Sequence, residues 1–262
     1  MIVEQAKDIF DKIKTKDYFE LEDIAKRIKP SFHYEKDDWP KLYETWEKSV
    51  LRGEFDFSVY NHDAYLFESF ICWKIYSRQY LIDLRKYLAS SDCEIDRSKI
   101  HRILDLGCGC AYSTVGLKSI FDDACVMGTN LKGTLQFSID EFVCENIDGC
   151  SMVDENDTFN LGNVDMVFAS EFFEHIQEPI DFLLSLLRAY SPEYLVVANT
   201  FTKMSLGHFS EYFYNGEAFN GIRMSRMFND TLRENGYISV STGFWNNRPK
   251  VWKRGEVEDG LF

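Results

Sequence analysis

Two groups of residues in this chain carry chemistry by their type and spacing. The run Ile103-Leu104-Asp105-Leu106-Gly107-Cys108-Gly109-Cys110-Ala111-Tyr112 reads as a buried strand that breaks into a glycine-rich turn and opens a helix. Glycines at 107 and 109 let the backbone approach a ligand where a Cβ would collide. The turn is therefore a candidate nucleotide-cofactor loop, with the Asp105 carboxylate facing the crevice at the strand end. The second group is Ala169-Ser170-Glu171-Phe172-Phe173-Glu174-His175-Ile176, which follows a later apolar strand. Glu171, Glu174 and His175 form an ExxEH pattern, and on a helical turn this spacing brings Glu171 to the same side as the other two. His208 lies in an irregular stretch expected to return over the same crevice, so two carboxylates and two imidazoles could bind one divalent cation. Mixed oxygen and nitrogen donors suit Mg²⁺, Mn²⁺ or Fe²⁺, and such a cation would lower the pKa of a bound hydroxyl. The alternative is a solvated helix face carrying Glu171 and Glu174, with His208 capping a loop.

The elements that must position these groups fall into two parts. Residues 1–95 read as a helical cap or substrate lid. Phe10, Ile13, Phe19, Leu21, Ile24 and Ile28 recur at helical spacing up to a break at Lys29-Pro30. A second helix begins after Asp38 and Trp39, with Pro40 in its first turn and Gly53 past its end, and a third runs from about Ala64 to Leu88. Residues 96–262 alternate strand and helix: strands to Leu106, at Ala124–Thr129, Cys150–Val153, Val164–Ala169 and Tyr194–Ala198, with helices between most of them. After an irregular stretch from Asn199 to Gly221 come a helix to Glu234 and two closing strands, Tyr237–Phe244 and Lys250–Lys253. This pattern predicts an α/β fold: a doubly wound seven-stranded sheet, parallel with an antiparallel last strand, with an N-terminal helical cap.

Composition narrows the classes. The 262 residues carry a formal net charge of -14, which disfavours a nonspecific nucleic-acid binder. Seven cysteines, an odd number without CxxC pairing, suggest neither a disulfide framework nor a zinc ribbon and fit a reducing cytoplasm. No signal-peptide pattern opens the chain and no apolar run reaches a membrane-spanning length, so a soluble cytoplasmic protein is expected.

The stretch ILDLGCGCAYST resembles motif I of the class I S-adenosylmethionine (SAM)-dependent methyltransferases, and the final helix with two strands resembles the closing element of that fold. The resemblance covers residues 100–254. It implies SAM as cofactor, contacted by Asp105, Gly107, Cys108, Gly109 and Tyr112 of motif I, by Asn130 and Leu131 after the second strand, by Asp154 after the third and by Ser170 after the fourth. Asn130 stands where the family places an acid on the ribose hydroxyls; an amide still bonds a diol but without charge assistance. Asp154 matches the position that faces the adenine amino group, and it reads equally as a loop aspartate capping a turn. The segment Glu174-His175-Ile176 with Glu178-Pro179 resembles one widespread in small-molecule methyltransferases, implying Glu171, Glu174 and His175 as catalytic residues. Glu171, Glu174, His175 and His208 together resemble the metal site of small-RNA terminal 2′-O-methyltransferases, and a related ExxEH occurs in ubiquinone-pathway O-methyltransferases. The expectation is O-methylation of a small polar molecule, sugar or nucleotide hydroxyl, assisted by Mg²⁺ or Mn²⁺. Methylation of an RNA end or other nucleic acid, and a non-catalytic SAM-fold scaffold, are the alternatives. Asn199, Thr200, Tyr212, Tyr214, Trp245, Asn246 and Arg248 border the expected acceptor side, and Tyr60, His62, Tyr65 and Arg78 are candidates to close over the cofactor from the cap.

Overall fold

The computed structural model describes residues 2–14, 18, 38–202 and 205–255. Strand β1 (Arg102–Leu106) forms because Ile103, Leu104 and Leu106 all find cover, each fully buried. Its neighbours β2 (Cys125–Asn130), β3 (Cys150–Asp154), β4 (Met166–Ser170) and β5 (Tyr194–Ala198) are parallel to it, and β9 (Lys250–Arg254) pairs antiparallel with β5 and with β8 (Tyr237–Ser239). The order β3-β2-β1-β4-β5-β9-β8 makes a seven-stranded sheet. The order of succession reverses between β1 and β4, and this leaves a crevice at their carboxyl ends, where such sheets bind ligands.

Alternation along the strands builds one core on each face. Ile103, Val126, Met166 and Val196 meet helices α1 (Ile2–Lys14), α3 (Asp63–Cys72), α4 (Arg78–Leu88), α5 (Tyr112–Ile120) and α6 (Leu135–Glu145). Leu104, Leu106, Val167 and Leu195 meet α7 (Pro179–Tyr190) and α8 (Gly221–Glu234). Helix α2 (Asp38–Arg52) contributes Trp46 to the second core, where its indole N–H donates to the His208 carbonyl at 2.9 Å.

The expected architecture is present, with local departures. The third helix begins at Asp63 and ends at Leu88 as predicted, but Trp73–Ser77 is a π-helical turn in which the Arg78 N–H bonds the Trp73 carbonyl. The stretch expected to be irregular holds a hairpin, β6 (Tyr212–Tyr214) and β7 (Glu217–Phe219), whose Asn215-Gly216 turn places both residues at positive φ. That dipeptide is a strong hairpin signal, and sequence reasoning passed over it. Strand β8 stops at Ser239 rather than Phe244. The helical spacing read through Phe19, Leu21, Ile24 and Ile28, and the Lys29-Pro30 break, lie outside the described residues. Among the described residues no helix is long and apolar enough to cross a membrane, and all seven cysteines are free thiols.

Candidate active site

The glycine-rich turn after β1 is held by its neighbours on the sheet. Thr129, fully buried near the end of β2, accepts from the Gly107 N–H through its hydroxyl (3.2 Å) and from the Cys108 N–H through its carbonyl (3.1 Å). Gly107 and Gly109 sit at φ 59° and 67°, and a Cβ at either would fall 2.5 Å from the Phe172 ring or 2.8 Å from Ser69 Oγ. Both glycines are therefore required by conformation and by space. Asp105 is buried on β1; Ser113 and Thr114, in the first turn of α5, donate to its Oδ2 at 2.7 and 2.8 Å. Burial raises its pKa to about 7 against those two hydrogen bonds.

Beyond this turn, several expected contacts change character. Asn130 faces the cavity, but its amide is engaged: Nδ2 donates to the Gly109 carbonyl and to Asp140 Oδ2, both at 3.1 Å, and Oδ1 accepts from the Leu131 N–H at 2.9 Å. Asp140, fully buried on α6, was not foreseen; burial holds its carboxyl well above the usual range. The amide at 130 thus suits a place beside a second acid. Asp154 accepts from the Asn156 N–H at 3.1 Å and caps the turn that follows, the other reading of that position. Its neighbour Glu155 lines the cavity instead, its pKa raised to about 7 by burial and then by Asp154. Tyr112 also lies away from the cavity, fully buried, donating to the Ala6 carbonyl at 2.7 Å and packing edge-on against Trp73. Its bulk joins α1 to the core. Leu131, Cys108 and Ser170 do line the cavity, and the Ser170 hydroxyl meets that of Ser77 at 2.8 Å.

At the carboxyl end of β4 the backbone does not enter a helix. The Glu171 N–H still bonds the Ala198 carbonyl at 2.7 Å, continuing the strand pairing, and Glu171 takes a left-handed φ of 53°. Only Phe173–His175 forms a single 3₁₀ turn. Glu171 is consequently aimed at β5 and the loop before β9: Oε1 accepts from Tyr80 Oη (3.1 Å) and Arg248 Nη2 (2.6 Å), and Oε2 from the Thr200 hydroxyl (2.8 Å). Arg248 Nη2 also reaches Thr200 Oγ1 at 2.8 Å. Glu174 turns inward and is fully buried, its Oε1 accepting from the Thr200 N–H at 2.8 Å. Burial, reinforced by the Glu171 carboxylate, pushes its pKa well up. The His175 and His208 rings stand edge to face, 4.6 Å between centroids. Burial and then the neighbouring imidazole depress the His175 pKa to about 3.

The four-residue cation site expected from Glu171, Glu174, His175 and His208 is not assembled. Among the described residues no three His, Cys, Asp or Glu side chains are grouped to hold a metal ion. Glu171 is drawn instead to Arg248, Tyr80 and Thr200, because the residue that should begin a helical turn remains part of the strand register.

One cavity of about 690 Å³ connects the two groups, running from Gly107, Gly109 and Asn130 to Glu171, His175 and Arg248. Of the residues considered as a cover, Tyr60 and Tyr65 line it with ring centroids 4.4 Å apart. His62 instead accepts from the Ala64 N–H at 3.1 Å and caps α3, and Arg78 is buried away from the cavity. Tyr212 is fully buried, donating to the Glu174 carbonyl at 3.2 Å.

No protein-family model matches the sequence, and no curated protein matches it. Among solved structures, the CurJ carbon methyltransferase aligns with a TM-score of 0.51 and 12% identity, over 82% of this chain and 66% of that one. The chain has the Rossmann-like methyltransferase fold. Human N-acetylserotonin methyltransferase in complex with SAM aligns at TM-score 0.47 and 11% identity, over 82% of this chain and 67% of that one. The Methanococcus jannaschii fibrillarin pre-rRNA processing protein aligns at 0.43 and 11%, over 62% and 70%. In the Rossmann-like methyltransferase fold of this chain, the glycine turn after β1 and the Glu171 turn after β4 flank the reversal point of the sheet.

Proposed function

We propose that the chain is a SAM-dependent methyltransferase that acts on a hydroxyl of a small molecule. The observation that carries this reading is the single cavity joining a motif I glycine turn to a polar cluster at the end of β4. Its volume of about 690 Å³ lies within the range of enclosed small-molecule sites, roughly 300–1,000 Å³. Four acidic side chains, Glu68, Asp105, Glu155 and Glu171, line it against the single guanidinium of Arg248. Above pH 7, where Asp105 and Glu155 are ionised, this lining is negative and favours a sulfonium donor, whose positive charge is discharged as the methyl group leaves.

In this reading the donor lies against Gly107, Gly109 and Leu131, with Asp105 toward its ammonium group, Asn130 Oδ1 near the ribose and Glu155 near the adenine. The acceptor hydroxyl lies among Thr200, Glu171 and His175. Its oxygen attacks the methyl carbon, the C–S bond breaks, and the electron pair returns to sulfur as a neutral thioether. Methylation turns the hydroxyl into an oxonium, whose proton is acidic enough for the weakly basic His175 to take and pass to water. The main contribution of the protein is positioning, which holds oxygen, carbon and sulfur in line. Glu171 and Arg248 fix the cluster, and no step is routed through a metal ion. A nucleic-acid acceptor has only weak support, since the net charge is -14. We further infer that residues 1–95 serve as the lid of a core formed by residues 96–262, in a cytoplasmic protein.

Incubation with methyl-deuterated SAM and pools of metabolites, nucleotides and short RNA, read by mass spectrometry, tests the proposal. A labelled small-molecule ether supports it. Binding of neither SAM nor S-adenosylhomocysteine (SAH) removes it in favour of a scaffold role, and label in RNA alone moves the acceptor class.

A further inference from the structure

The described residues leave seven large apolar side chains exposed, and three of them, Phe57, Ile75 and Tyr76, also line the cavity. Their relative exposures are 44%, 54% and 37%. A side chain that belongs both to the outer surface and to the lining stands at the mouth. The three come from separate places in the chain: Phe57 from the 3₁₀ turn after α2, Ile75 and Tyr76 from the π-helical turn between α3 and α4. Phe55, Ile71 and Phe209 also line the cavity, with the Phe55 ring 6.2 Å from that of Phe57 and 5.3 Å from that of Phe209, while Glu171, Thr200 and Arg248 form one bonded polar cluster in the same lining. The cavity therefore combines a polar cluster with apolar side chains that reach its rim.

Scattered exposed apolar residues need no explanation, but apolar residues gathered on the rim of a cavity mark a binding surface. We infer that the acceptor is amphiphilic: a hydroxyl-bearing polar head at Thr200 and Glu171, with an aliphatic or aryl tail that leaves the cavity across Phe57, Ile75 and Tyr76. The continuity of rim and lining argues for one molecule occupying both. The inference rests on the methyl-transfer reading only in naming the hydroxyl end.

Titration of the protein, both alone and with SAH added, with phenol and its 4-ethyl, 4-butyl and 4-hexyl homologues, below their aggregation limits, tests it without turnover. Affinity is expected to rise roughly threefold to fourfold per added methylene as each is buried. Phe57→Ser with Ile75→Ser is expected to flatten that series, whereas Leu51→Ser and Ile222→Ser, exposed elsewhere, leave it steep. Thermal melting establishes that each variant folds, and Tyr76→Ser serves as a second variant should the double substitution unfold. Equal affinity across the series overturns the inference. So does a series that stays steep in the rim variants, a change of oligomeric mass in those variants, which assigns the rim to a second copy, or vesicle binding lost in them, which assigns it to a lipid surface. SAH binding is measured separately: its absence removes the donor reading and leaves the chain-length result standing.

Discussion

The guanidinium of Arg248 lies 2.6 Å from the carboxylate of Glu171, across 77 residues of chain. The contact joins the turn after β4 to the loop before β9, and it faces Glu171 toward Thr200 and Tyr80. A second acid, Glu174, lies beside this pair, fully buried and bonded to the Thr200 N–H. Arg248 thus sets a positive charge against two neighbouring acidic side chains.

Arg248→Ala is expected to lower turnover roughly tenfold to a hundredfold, the usual weight of a hydrogen bond to a charged group. Arg248→Lys recovers part of that loss, because an ammonium restores the charge but not the planar geometry of the guanidinium. Steady-state kinetics of the two variants, with melting curves as a folding control, check this. Equal rates in Arg248→Ala and wild type would contradict the role assigned to the pair.

Chelation is expected to leave turnover unchanged. Glu171 is committed to Arg248, and among the described residues no three candidate ligands are grouped for a cation. Activity measured before and after EDTA treatment, with Mg²⁺ and Mn²⁺ added back, is the check. Loss on chelation with recovery on add-back would restore the four-residue site.

His175 gives stability an acid limb. Its pKa falls from 6.5 to about 3 on folding, so the native state favours the neutral ring. The contribution is complete above pH 6.5 and is lost as pH falls toward 3. Glu174 acts in the opposite sense: with its pKa raised by burial, its contribution is complete below 4.5 and is lost as pH rises. Denaturant melts across this range should show His175→Gln with a shallower acid limb than wild type. Asp105 makes a separate prediction for ligand binding. With its pKa near 7, affinity for SAH, which carries an ammonium group, rises with pH through 7 and levels about one unit above it. Calorimetric titrations should show that dependence in wild type and not in Asp105→Asn.

Asn130 and Asp140 form an amide-acid pair whose members can be exchanged. Asn130→Asp places two carboxyls at the 3.1 Å contact, and Asp140→Asn opposes two amides there. Each single change is expected to weaken SAH binding by up to roughly tenfold, as loss of a buried hydrogen bond would. The double exchange restores most of it. A double variant as weak as the worse single would show that the pair does not act as a unit.

The succession of strands and the glycine turn were legible because they depend on local pattern. Apolar runs such as Ile103–Leu106 need two-sided cover, and Gly107 and Gly109 announce a close approach. Contacts between distant segments were less legible. Nothing near Glu171 in the sequence indicates Arg248, and ExxEH spacing has meaning only on a helix that the strand pairing of Glu171 to Ala198 prevents. The same limit applies to Asp140, which nothing in the sequence marks and which only the fold brings against Asn130. Glu155 and Asp154 differ by one position, and only the backbone decides which of them turns to the cavity. Asn215-Gly216 is a different case, since its signal was local and plain.

The π-helical turn at Trp73–Ser77 acts as a phase-setter for everything after it. One surplus peptide unit in a helix rotates the following side chains by about 100° relative to an uninterrupted spiral. That offset is what presents Ser77 to Ser170 and Tyr80 to Glu171. A single-residue deletion between Lys74 and Tyr76 would leave a straighter rod with its downstream groups pointing elsewhere, uncoupling Ser77 and Tyr80 from Ser170 and Glu171 while the sheet stays whole.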